Sequence, residues 1–104
     1  MEFYDVAFSV FATDSHALLI ELGLSKMDLM ILDNIKVAEN EVELTLCRFV
    51  KSINGLYVSI VKTFNDGIVY NVQIVSTNEN NFESSAIEQL LIHGVINLKF
   101  YSCR

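Results

Sequence analysis

Alternation of apolar and polar side chains runs through most of this chain and predicts strands. Phe3–Ala12 places Tyr4, Val6, Phe8 and Val10 on one face and Phe3, Asp5, Ala7, Ser9 and Phe11 on the other. A second face that is only partly polar predicts an interior strand. From Glu41 to Thr77 three strand-like runs follow, joined by two turns. Asn54-Gly55 separates Phe49–Ile53 from Leu56–Phe64 and suits a two-residue hairpin, which sets Ile53 against Leu56 and Phe49 against Ile60. At Asn65-Asp66-Gly67 a two-residue loop would put Ile60 opposite Gln73. A three-residue loop with Gly67 left-handed pairs Lys62 with Tyr70, Ile60 with Val72 and Val58 with Ile74. A one-residue slip turns every side chain to the other face, so the apolar pattern selects the longer loop.

Upstream the period is broken. Val42, Leu44 and Leu46 alternate, but Phe49 comes three positions later. A β-bulge near Cys47-Arg48 restores the phase, with Leu46 opposite Lys62 and Leu44 opposite Phe64; the alternative is a strand apolar on both faces. Ile35–Ala38 is then a short strand pairing with Val42–Leu46 around the Glu39-Asn40-Glu41 turn.

Helical signals lie on either side. Thr13, Asp14 or Ser15 caps a helix through Leu22 that Gly23 stops, with Leu18, Leu22 and either Leu19 or Ala17 buried. Ser25 and Asp28 have capping-box spacing for a helix over Lys26–Leu32, with Met27, Met30, Ile31 and Ile35 at helical intervals; a strand is the rival reading there. Asn78–Asn81 reads as a loop. Ser85 and Glu88 form a second capping box, Ile87, Leu90 and Leu91 a buried face, and His93-Gly94 an end. Val95–Tyr101 is a last strand with Ile96, Leu98 and Phe100 on one face.

These elements predict an α+β fold: one domain over 1–104, with a single mostly antiparallel sheet of five to six strands. Two or three helices pack on one of its faces. The element order resembles a ferredoxin-like arrangement enlarged by one or two strands, and the likeness is one of order alone.

Composition adds a partner to this picture. Apolar residues make up 52% of the chain, above the usual ~45–50%, yet no run approaches the ~20 residues of a membrane helix. The excess suggests apolar surface covered by another chain, and no membrane association. No basic residue precedes Lys26, so no secretory signal is expected. Two cysteines make no disulfide framework, and a reducing, cytoplasmic location is expected.

Charge is uneven. The formal net charge is −6; residues 1–44 carry nine acids against two lysines, and residues 45–104 four acids against five bases. That balance favours a basic protein partner, such as a nuclease or a nucleic-acid-binding complex, and disfavours direct contact with nucleic-acid phosphates. In Glu39-Asn40-Glu41-Val42-Glu43 an extended backbone would align three glutamates on one side, a costly ladder unless a counter-charge answers it. Its alternative is to keep a sheet edge from pairing with strangers. Glu39, Glu41, Glu43, Asp33 and Asp28 are therefore the candidate partner-binding residues.

Chemistry is sparse. Cys47, Cys103, His16 and His93 lack metal-ligand spacing, no phosphate loop or nucleophile motif is present, and neither metal, cofactor nor catalytic residue is expected. The leading expectation is a small acidic non-catalytic binding protein, an inhibitor of the immunity-protein, antitoxin or viral anti-defence type that occludes a basic surface. The alternative is a homo-oligomeric structural or regulatory subunit, a homodimer through the second sheet face at Phe3, Phe11, Tyr57, Val61, Val69 and Tyr101. A small thiol- or carboxylate-dependent enzyme ranks third.

Overall fold

The computed structural model describes residues 3–53, 55–76 and 94–103. Strand β1 (Phe3–Phe11) leads through a 3-10 turn (Ala12–Asp14) into α1 (His16–Leu22), α2 (Lys26–Asn34) and α3 (Glu41–Leu46). The strands β2 (Arg48–Ile53), β3 (Leu56–Phe64), β4 (Ile68–Ser76) and β5 (Ile96–Cys103) follow. They form one antiparallel sheet in the order β2-β3-β4-β1-β5, with β1 interior as its two half-apolar faces require. The class is α+β. A ferredoxin-like order is not established, since three helices precede β2. The predicted loop and helix over 78–93 lie outside the described residues.

Both hairpin registers are those the apolar pattern selects: Ile53 faces Leu56, Phe49 faces Ile60, Lys62 faces Tyr70 and Val58 faces Ile74. The longer turn needs two residues of positive φ, Asp66 at 55° and Gly67 at 145°. Asp is among the few side chains that adopt the left-handed region readily. Register then carries Val6, Phe8 and Val10 onto the same face as Tyr70, Val72, Ile74, Val58, Ile60, Phe49 and Ile53. Leu18 and Leu19 of α1, Leu24, and Leu29 and Leu32 of α2 join that face in one buried cluster.

Four expectations are corrected. Ile35–Ala38 forms no strand, and Glu41–Leu46 is a helix, so there is no bulge at Cys47-Arg48. Asn40 explains this: its side chain accepts the Glu43 backbone N–H at 3.1 Å, and two glutamates in the first turn favour the helix N-terminus. The phase conflict between Leu46 and Phe49 vanishes because the two belong to different elements. Cys47 is accordingly the C-cap of α3, not a mid-strand residue.

On α1, Leu18 and Leu19 are buried, Leu22 is half-buried and Ala17 is exposed. On α2 the predicted capping box is present, but Asp28, Leu29 and Leu32 face inward while Met27, Met30 and Ile31 face out. Asp28 sets that rotation: it caps Ser25 at 2.8 Å and pairs with Lys51, which register places on the helix side of β2. Lastly, β5 slips by one residue against β1 between Ala7 and Ser9, where Asn97 has φ 55°. Ile96 therefore pairs with Ser9 on the far face instead of following Leu98 into the core.

Candidate docking surface

The acidic run that the sequence singles out does not form an extended ladder. Helical winding separates its glutamates, and each has its own surroundings. Glu43 turns back: its carboxylate accepts the Glu39 backbone N–H at 2.6 Å and pairs with Lys36. The Lys36 ammonium, and then the Glu39 N–H, hold the Glu43 carboxyl below the usual carboxylate range. Glu39 and Glu41 remain exposed. Two further contacts fix the short helix. Thr45 Oγ1 donates to the Val42 carbonyl at 2.7 Å, and Arg48 Nη2 reaches the Leu44 carbonyl at 3.5 Å.

With α3 held this way, Val42 and Leu46 stand one turn apart and point into solvent, 64% and 75% exposed. No other large apolar side chain among the described residues is as exposed as Leu46. Alternation reasoning sends both residues into a sheet and so misses them. The signal for the helix is present in the sequence: Asn40 and Glu43 have capping-box spacing, the same cue that identifies α2. The outcome is an exposed apolar pair on a pre-formed turn of helix, with the exposed Glu39 and Glu41 at its N-terminal end.

The other two acidic candidates have internal tasks. Asp28 is buried, and its bond to Lys51, followed by the Ser25 N–H, holds its carboxyl below the ordinary value of 3.8. Asp33 lies in the last turn of α2, where its Oδ1 accepts from the Tyr70 hydroxyl and its carbonyl from Lys62 Nζ, each at 3.2 Å. Lys62 is almost fully buried, and burial pushes its ammonium below the usual lysine value. Tyr70 is pushed up to about 12, first by burial and then by the Asp33 charge. Of the five acids, Glu39 and Glu41 are the ones left facing outward without such a task.

The sheet face opposite α1 and α2 is a second surface. Arg48, Leu44, Ser59, Val61, Asn71, Gln73 and Lys99 line an open trough of about 470 Å³ across it. A polar network ties its strands together: Ser9 Oγ donates to Asn71 Oδ1 at 2.9 Å, and Asn71 Nδ2 donates to Thr63 Oγ1 at 2.8 Å. Gln73 Nε2 donates to Asp5 Oδ2 at 2.9 Å. Of the six residues expected to self-associate, register places Phe11, Tyr57, Val61 and Val69 on this face. Within it Val61 and Val69 are already buried, Phe11 is half-buried and Tyr57 is half-exposed; the side chains of Phe3 and Tyr101 lie outside the described residues.

His16 is exposed at the start of α1, and Cys47 is half-buried; His93 lies outside the described residues. Among the described residues, no group of three His, Cys, Asp or Glu side chains is placed to hold a metal ion, and no helix is long and apolar enough to cross a membrane. No protein-family model, curated protein or solved structure matches the chain.

Proposed function

We propose that this protein is a small acidic, non-catalytic binding protein that docks α3 onto a basic protein surface and occludes it. The observation that carries this reading is the exposed Val42–Leu46 pair on a helix already fixed by its own hydrogen bonds, with the exposed Glu39 and Glu41 just before it in the chain. Apolar anchors that fill a pocket supply most of an interface's energy, and charges around them supply orientation and speed of encounter. A pre-formed α3 loses little conformational freedom on binding, which leaves more of the contact energy for affinity. The matching partner carries an apolar cleft rimmed by lysine or arginine. Nucleases and nucleic-acid-binding complexes have such rims, and blocking one is the action of an immunity protein, antitoxin or anti-defence inhibitor. The net charge of −6 steers approach to such a surface from a distance.

The test compares three immobilised baits in lysate of the source cells: the wild-type chain, Leu46→Asp, and the double variant Glu39→Lys/Glu41→Lys. The wild type retains a basic protein at low salt and releases it as salt rises, while both variants retain at least tenfold less. Equal retention by all three baits, or retention indifferent to salt, removes α3 from the reading.

A further inference from the structure

The outward face of α2 is an apolar stripe that neither the core nor the α3 surface uses. Met27, Met30 and Ile31 are 71%, 65% and 46% exposed, and with Asn34 and Ile35 they line a shallow groove of about 460 Å³. Counted from Met27 these residues fall at i, i+3, i+4, i+7 and i+8, the last being the C-cap, the spacing of one helix face. The stripe lies away from α3. Leu29 and Leu32 of α2 pack on one face of the sheet, whereas Leu44 of α3 lines the trough on the other.

Charge specifies which partner fits. Lys26 and Asp33 are both exposed and sit seven residues apart, so two helical turns return them to one flank of the stripe. When two such helices pack antiparallel about a two-fold axis opposite Met30, Lys26 of each meets Asp33 of the other. Met30 meets its own copy, and Met27 meets the end near Asn34. The arrangement is self-complementary, as an isologous interface requires. Asp33 Oδ1 already accepts from Tyr70, and an ionised carboxylate keeps capacity on its second oxygen to accept from a further donor.

We infer that α2 is a self-association surface, and that two copies of this chain pair through antiparallel α2 helices with reciprocal Lys26–Asp33 ion pairs. One nine-residue helix supplies less than the ~800 Å² per partner of a standard interface, so the dimer is weak, with a dissociation constant in the micromolar range. Each chain carries −6, but screening over about 8 Å at physiological salt confines that repulsion and leaves the contact pairs effective. In such a dimer both sheet troughs and both α3 helices face away from the contact, so the assembly binds partners in duplicate. This places the homodimer contact on α2, where three exposed apolar side chains share one helix face.

Analytical ultracentrifugation of the full chain from about 1 to 200 μM tests this. Wild type shifts from 11.8 kDa toward twice that mass, and Met30→Glu raises the dissociation constant at least tenfold. Lys26→Glu and Asp33→Lys each weaken pairing alone by placing like charges together. Mixed in equal amounts they pair again, because the heterodimer restores both opposite-charge contacts. Should Asp33→Lys disturb the fold through Tyr70, the Met30→Glu and Lys26→Glu arms still decide. A wild-type monomer at 200 μM overturns the inference, as does a dimer indifferent to Met30→Glu or a mixture no tighter than its components. The α3 variant Leu46→Asp leaves dimerisation unchanged, which separates failure of this surface from failure of the docking reading.

Discussion

Tyr70 shows how a single buried hydroxyl reports on the packing of α2 against the sheet. Its proton is held by burial and by the Asp33 carboxylate that accepts its hydrogen bond, so it titrates near 12 instead of the ordinary 10. A folded-state value raised above the unfolded one contributes stability that is present below about pH 10 and lost as pH climbs toward 12. Absorbance titration should therefore show a tyrosinate step near pH 12 that Tyr70→Phe abolishes. The same variant should cost about 1–2 kcal/mol at neutral pH through the lost bond to a charged acceptor. Persistence of the high-pH step in Tyr70→Phe would rule out this assignment. Asp28 works in the opposite sense. Lys51 and the Ser25 N–H depress its carboxyl below 3.8, so its contribution is complete above that value and fades as pH falls through the lower folded one. Asp28→Ala should destabilise by about 1–2 kcal/mol at pH 7, from the lost cap and the lysine left unpaired. Urea denaturation should show wild type and variant drawing together in acid, and a gap independent of pH would contradict the pairing.

At the scale of elements, the chain between α1 and β2 is decided by stops and caps more than by hydrophobic period. Gly23 ends α1 with φ 108°, and a Cβ there would come within 2.6 Å of Ile53 Cγ2. Both the backbone and the contact with β2 therefore require glycine. Gly23→Ala should lower stability by about 1–3 kcal/mol in thermal or chemical unfolding, a cost combining strain at positive φ with overpacking. A neutral outcome would mean that α1 and Ile53 separate freely. The contrast between α2 and α3 carries the same lesson. Both begin with a side-chain cap, yet Asp28 and Lys51 turn α2 so that its leucines face the sheet, while α3 keeps Val42 and Leu46 in water.

Taken whole, the molecule divides its tasks between two faces of one sheet. The face under α1 and α2 holds the buried cluster, and within it Lys62 ties the C-terminus of α2 to β3 through the Asp33 carbonyl. A cation beside terminal helix carbonyls is favourable and offsets part of the cost of burying it. The opposite face is polar, braced by Ser9, Asn71 and Thr63, with Arg48 and Lys99 along its trough. The five candidate acids of the first 44 residues thus differ in their surroundings. Asp28 and Glu43 are paired, Asp33 is bonded to Tyr70, and Glu39 and Glu41 remain outward beside the apolar anchors of α3. Charge and exposed apolar area meet at α3, which is why the docking reading rests there and not on net charge alone.

Local rules by themselves determined a good deal of this protein. Period-2 alternation, Asn54-Gly55 and Asn65-Asp66-Gly67 specify β1, β3, β4 and the registers of both hairpins, because a slip of one residue would expose an entire apolar face. The ends of α1 and α2 follow from Gly23 and from the Ser25–Asp28 cap. A stretch such as Val42–Leu46 satisfies strand and helix periods about equally over five residues, and the Asn40–Glu43 cap, itself local, decides for the helix. Two matters were left to tertiary structure. On α2, apolar residues surround the axis, and which of them are buried follows from packing across the fold, with Leu29 and Leu32 in the sheet cluster and Asp28 paired to Lys51 beside them. Which acids face outward depends on partners 7 to 37 positions away, from Lys36 beside Glu43 to Tyr70 beside Asp33, and only the folded chain brings those partners within hydrogen-bonding distance.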